Sequence, residues 1–228
     1  MKVDSLGSAL GSPGSTALCR THGSERRRLA EPEIPERATV PVINLAKAPG
    51  QRAAWDRPRW VVYAWAVVEQ LLVTNAWQVS SRVRVGALRA FGAHIGKDVI
   101  FRPRTRVKFP WKLCVGDRSW IGEGVWMHNQ DSLDIGADVA ISQETFLTTG
   151  SHAFRTDMAL ITRPIRIEDG AWIASRCIVL GGAVVGRSAV VAPGTVVRGN
   201  VAAGTVVRNS VEQVTGYRFD DRGEGCAP

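Results

Sequence analysis

The feature that most constrains this chain is a six-residue repeat running from Ile95 to Ala202. Ile95-Gly96-Lys97-Asp98-Val99-Ile100 and Val115-Gly116-Asp117-Arg118-Ser119-Trp120 are two instances, and others open at Ile121, Ile135, Ile167, Ile173, Val185 and Val191. Each opens with an aliphatic residue, follows it with a small or acidic one, and carries a small or β-branched residue in fifth place. So short a unit buries no core alone, and copies must stack into a solenoid. A coiled coil repeats in sevens and an amphipathic helix at 3.6, so both are excluded. The expectation is an all-β parallel β-helix. The first residue of each six points inward, and the small second residue lets the chain turn at a corner.

Three sixes make one coil of a triangular prism, with coils about 4.8 Å apart. Ile167 to Val185 is eighteen residues, one coil. Ile95, Val115 and Ile135 lie twenty apart, so Leu113-Cys114 and Leu133-Asp134 read as two-residue bulges. Ile167 follows Ile135 by 32 residues, and the fourteen left over, 153–166, read as a loop thrown out of the prism. A long loop on a regular scaffold is usually functional.

The 228 residues suit one domain with extensions, and an apolar content of 45% suffices for a core. Residues 1–54, rich in Gly, Ser, Pro and Arg, read as a disordered arm. Residues 55–92 read as a helical segment, 93–212 as the β-helix and 213–228 as a polar tail. No apolar core follows a basic start, so the arm is not a signal peptide; a misassigned start codon is the alternative. The net charge of +8 favours polyanionic partners, anionic lipid or an anionic cofactor. No aromatic-basic stripe or binding motif accompanies it, which argues against nucleic acid. Cys19, Cys114, Cys177 and Cys226 are scattered, against a zinc site or a disulfide framework and in keeping with a reducing compartment, the cytoplasm. Cys177 falls in a fifth place, where packing is expected.

Residues 60–79 allow more than one reading. Val61, Trp65, Val68, Leu72 and Val79 fall near helical spacing, with Val62, Ala66, Val67 and Leu71 widening the apolar face. Glu69-Gln70 at the centre argue against a spanning helix, because a mid-bilayer acid costs about 2.5–3.5 kcal/mol. One reading is a helix laid across the end of the prism to cap its open edge. The other is an interfacial helix at the inner membrane face, with Arg57, Arg59, Arg82 and Arg84 towards anionic headgroups.

Of four histidines, His22 lies in the arm and His94 at the first coil. His128 precedes His152 by 24 residues. His152 stands where the loop departs, flanked by Gly150 and Ser151, and an imidazole on such an edge suits general base work near neutral pH.

The hexads, the Gly150-Ser151-His152 phrase and Trp172-Ile173-Ala174 resemble the hexapeptide-repeat acyltransferases, whose fold is a left-handed parallel β-helix. Within these, residues 88–96, 109–113, Ile141-Ser142-Gln143 and Arg163-Pro164-Ile165 resemble the colanic-acid-type (WcaF-like) acetyltransferases of bacterial polysaccharide synthesis. The likeness covers residues 55–215. It implies direct acetyl transfer from acetyl-CoA to a saccharide hydroxyl, with His152 as general base and backbone N–H groups or the Asn129 amide holding the oxyanion. It implies a homotrimer, with coenzyme A between neighbouring subunits. The thioester arm would meet Trp172, Ala174 and Ser175, and the rest would run past Ala192 and Pro193 with Arg198 at a phosphate.

The hexads demand small residues at Ala174 and Ala192 in any case. The chain also departs from the family: Ala153 stands where relatives often carry an acid, so another group, such as a backbone carbonyl, must orient the imidazole. Arg198-Gly199 replaces a frequent Thr-Lys. Asp157 occupies the place of the second histidine a zinc-bearing β-helix would need, and no Gly-x-Ser-x-Gly elbow is present. N-acetylation of an amino sugar and a non-catalytic scaffold stand as the alternatives.

Overall fold

The computed structural model describes residues 41–209. From residue 94 onward the chain winds into a parallel β-solenoid whose strands stack in three sheets of five, six and five. The first sheet runs through His94–Ile95, Leu113–Val115, Leu133–Ile135, Ile165–Ile167 and Val184–Val185. Trp120–Ile121 and Trp172–Ile173 lie in the second sheet, and Trp126–His128, Phe146–Thr148 and Ile178–Leu180 in the third.

Register follows the hexads. Val115 pairs Ile135, Ile135 pairs Ile167 and Ile167 pairs Val185, so first-place residues of successive coils sit in columns. These columns are the core: Ile121, Ile173 and Val191 are wholly buried. Fifth-place residues are buried as well, among them Val99, Ser119, Val125, Ala171, Cys177 and Ala189. Buried Cys177 is a free thiol, and burial pushes it up from its ordinary value, in keeping with packing.

The small second place has a different cause from the one expected. The turn is made in fourth place, where Asp98, Arg118, Asp138, Arg176 and Ser188 all take positive φ. In second place the next coil's backbone lies against the residue. A Cβ on Gly116 would come 2.4 Å from the Ala137 nitrogen, and one on Gly136 would come 2.7 Å from that of Asp169.

The surplus residues of the longer coils collect at one corner, between the third and first sheets. Leu113-Cys114 and Leu133-Asp134 belong to strands, and the extra residues precede them, at the 3-10 turn Pro110–Lys112 and at 129–132. At the same corner of the next coil the long excursion emerges as a β-hairpin. Gly150–His152 pairs antiparallel with Leu160–Thr162, and Ile165-Arg166 have already rejoined the prism.

The N-terminal helical segment closes the first coil. Helix α1 (Arg59–Val68) passes into a π-helical turn (Glu69–Thr74), and α2 (Ser81–Ala90) follows. An exposed strand edge leaves backbone groups without partners, and side chains from this segment meet them on all three faces. Trp65, buried to 2%, donates its indole Nε1–H to the Val107 carbonyl at 2.8 Å, and Glu69 Oε1 accepts from the Val107 N–H at 2.6 Å. Ser81 Oγ accepts from the Phe101 N–H at 2.9 Å, and Arg89 donates to the Ile95 and Gly96 carbonyls. Arg84, expected at a membrane surface, is instead wholly buried and donates to the carbonyls of Val73, Asn75 and Gln78. No helix among the described residues is long and apolar enough to cross a membrane.

Residues 41–54, assigned to the arm, carry two 3-10 turns, Leu45–Lys47 and Gln51–Ala54. Gln51 bonds Gln130 at 3.1 Å, and Lys112 Nζ donates to the Ala54 carbonyl at 2.7 Å. The remainder of the arm and the polar tail from residue 213 lie outside the described residues.

Candidate functional site

The corner that collects the insertions also holds a cleft of about 380 Å³. Its walls are the first hairpin strand with His152, the return strand with Ile161, Arg163 just after that strand, and the next coils with Leu180, Gly181 and Arg198. Phe154, at the hairpin tip, closes one side.

The hairpin is held to the prism by close contacts, and at Gly181 they are with backbone that leaves no room for a Cβ. A Cβ at Gly181 would meet the Thr149 carbonyl oxygen at 2.7 Å and that of Arg163 at 3.0 Å. A Cβ at Gly150 would come 2.1 Å from Gln130 Oε1. At the hairpin base the Arg163 N–H donates to Thr149 O at 2.9 Å, so both strands leave the corner already paired.

His152 is half-buried on the inner strand. Its Nδ1 lies 2.8 Å from the Met158 carbonyl oxygen. A carbonyl only accepts, so Nδ1 carries the hydrogen, and in the neutral ring Nε2 is left as the acceptor. The turn that presents Met158 is specific: Met158 has a φ of +60°, and Asp157 Oδ1 accepts from the Ala159 N–H at 3.0 Å. With Ala153 in place of an acid, a backbone carbonyl orients the imidazole.

The other sequence-predicted residues fall into separate groups. Arg198 lines the same cleft as His152. Trp172 stands half-exposed on the second sheet, its indole N–H donating to Ser142 Oγ at 3.0 Å. Ser175 donates to Gln143 Oε1 at 3.1 Å. Ala174 is buried, and Ala192 and Pro193 follow the Val190–Val191 strand at the corner between second and third sheets. Within one chain the third sheet therefore separates this group from His152.

Asn129 sits at the insertion corner but is wholly buried. Its Nδ2 donates to the Phe109 carbonyl at 2.7 Å, and its Oδ1 accepts from the Phe109 N–H at 3.1 Å, so both ends of the amide are engaged by backbone. His128 packs in the third sheet against Trp126 and Phe146, with Nδ1 3.2 Å from Thr148 Oγ1. Burial, then Lys108 and Arg106, push its pKa below the ordinary value. Leu180 and Gly181 were not singled out from the sequence, and Arg163 entered only as part of the Arg163-Pro164-Ile165 phrase, with no place at the site. The Leu160-Ile161-Thr162 run, β-branched and bounded by Pro164, was the available sign of a second hairpin strand.

The bacterial transferase hexapeptide (six repeats) family model matches residues 164–199. Over 131 residues the chain is 37% identical to the protein named as the colanic acid biosynthesis acetyltransferase WcaF of Escherichia coli (strain K12), covering 57% of this chain and 72% of that one. The chain belongs to the WcaF-like hexapeptide-repeat acetyltransferases. Among solved structures, this acetyltransferase is similar to the hexapeptide-repeat-containing acetyltransferase of Vibrio cholerae O1 biovar eltor, complexed with acetyl coenzyme A. The TM-score is 0.61 at 25% identity, over 66% of this chain and 82% of that one. A galactoside acetyltransferase in complex with coenzyme A shares the fold, with a TM-score of 0.58 at 16% identity over 75% and 88% of the two chains.

Proposed function

We propose that this acetyltransferase uses acetyl-CoA to O-acetylate a saccharide hydroxyl in polysaccharide or exopolysaccharide biosynthesis, with His152 as general base. The observation that carries the reading is the Met158 carbonyl on His152 Nδ1, which leaves Nε2 free at the cleft. The acceptor oxygen attacks the thioester carbonyl carbon as Nε2 takes its proton. The tetrahedral intermediate then expels the coenzyme A thiolate, and the imidazolium returns a proton to the sulfur. Because the Asn129 amide already serves Phe109, the oxyanion falls to backbone N–H groups of the cleft.

In this reading the thioester arm lies by Trp172, Ala174 and Ser175, and the cofactor runs on past Ala192 and Pro193. Arg198, joined by Arg163 in the cleft wall, takes a phosphate. The separation of this group from His152 within one chain favours a homotrimer, in which the His152 corner of one copy faces the Trp172 corner of the next. The proposed partners are acetyl-CoA, the saccharide acceptor, two further copies of the chain and a membrane surface.

The test is acetyl-CoA turnover against a panel of nucleotide sugars and lipid-linked saccharides, hydroxyl and amine acceptors alike. His152→Ala should lower kcat by roughly 10²–10⁴, the usual worth of a positioned base. The KM for acetyl-CoA should change little, because the cofactor lies along the wall. His128→Ala should cost less. A folded His152→Ala protein with near wild-type turnover overturns the assignment, and turnover only on amines moves the reaction to N-acetylation.

A further inference from the structure

The segment that caps the prism is apolar on two sides, and only one of them is used. Trp65, Val68 and Val73 face the first coil. On the opposite side Trp60, Tyr63, Val67 and Leu71 follow one another at spacings of three and four, a single stripe along α1 and its π-helical continuation. Trp60 is 72% exposed, and Val67 and Leu71 are 59% exposed each. In the connection to α2, Trp77 is 93% and Val79 82% exposed. Continuous apolar exposure of this kind marks a contact surface.

The charges around the stripe select the partner. Arg57, Arg59 and Arg82 are exposed. The two acids of the segment are both engaged elsewhere: Glu69 is turned inward onto Val107, and Asp56 is paired with Lys112 at 2.7 Å. Among the described residues of the segment, Asp56 is exposed but offset by its Lys112 pair, so the charges left unpaired beside the outward aromatic and aliphatic side chains are cations. Tryptophan and tyrosine favour the water–hydrocarbon boundary, and arginine favours anionic headgroups. A second copy of the same surface would set like charges against one another, and a neutral protein groove would leave the arginines without a role.

We infer that α1 and its continuation lie flat on an anionic lipid bilayer, stripe inward, and hold the prism against the membrane face without crossing it. The inference is independent of acetyl transfer, since no stripe residue belongs to the cleft or to the Trp172 corner.

The experiment is flotation of the full chain with phosphatidylglycerol–phosphatidylcholine vesicles and with phosphatidylcholine alone. The expected result is binding to the anionic vesicles, at least tenfold stronger than to the neutral ones and largely reversed by high salt. The Trp60→Ser/Val67→Ser/Leu71→Ser variant and the Arg57→Glu/Arg59→Glu variant should each lose binding by tenfold or more. Both should keep the wild-type circular dichroism spectrum and acetyl-CoA turnover. Absence of wild-type flotation, or flotation unchanged in both variants, overturns the inference. So does a serine variant that drops to a smaller oligomer from a wild type that does not float, which would assign the stripe to a second copy.

Discussion

The Met158 carbonyl orients His152 without placing a charge beside it, so the ring is fixed by the hairpin's own geometry. A second residue with a defined electrostatic consequence is Glu69. Burial pushes its carboxyl above the unfolded value of 4.5, against the pull of the Val107 N–H, Arg106 and Lys108. A carboxyl raised in this way binds its proton more readily in the folded state. The stability it lends is therefore full below the unfolded value and lost as pH rises through the folded one. Glu69→Gln keeps an oxygen for the Val107 N–H and removes the charge. Its thermal midpoint should exceed that of wild type at neutral pH, with the gap closing as pH falls towards 4.5, where wild type is protonated too. Melting curves across that range test the sign, and a gap independent of pH would show that the carboxylate is not what burial penalises.

At the scale of elements, the hairpin and the helical cap are both attached to the prism by backbone-level contacts. The hairpin depends on Gly181, where an added Cβ meets two backbone oxygens that cannot swing away as a flexible side chain can. Gly181→Ala should displace the hairpin base, shift Met158 against His152 and lower kcat by about tenfold or more, since small misplacements of a base are expensive. The fold should survive, because the columns of first-place residues are untouched. Activity and circular dichroism measured together decide it: full activity would mean the hairpin is placed from elsewhere. The cap depends on Trp65 and Glu69, which join one strand edge from one helix and so pin α1 in both position and rotation.

For the whole molecule, the proposed division of the site between the His152 corner of one copy and the Trp172 corner of the next would make oligomeric state a functional variable. Between those corners the third sheet presents Trp126, Phe146 and Ile178 outward, an apolar wall suited to a neighbouring prism. Sedimentation should give the mass of three chains, and activity should fall when dilution dissociates them. A stable monomer with full turnover would refute the shared site. The cationic excess of the chain, with Arg163 and Arg198 at the cleft and Arg57, Arg59 and Arg82 beside the apolar stripe, suits two anionic partners, a phosphate-bearing cofactor and a lipid surface.

The hexads determined the solenoid by themselves. A period of six with an aliphatic first residue has one way to bury its core, and the columns Val115–Ile135–Ile167–Val185 stand as the spacing required. The existence of the excursion was legible for the same reason, since a break in a strict period draws attention to itself, but it leaves the prism at Gly150 and takes His152 with it rather than starting after that residue. Tertiary structure decided the rest. Where glycine stands in second place, the need for it is set by the backbone of the next coil, a full turn of the solenoid away, which local turn chemistry does not describe. Arg84 carries a charge in the sequence and three carbonyl partners in the fold, so its burial follows from where the chain ends its helix. Asn129 and Arg163 lie at one corner, yet one amide is closed by Phe109 and the other side chain lines the cleft. Sequence carries periodicity, which is a property of neighbours along the chain. Which polar groups are left open is a property of neighbours in space, and only the packed coils set it.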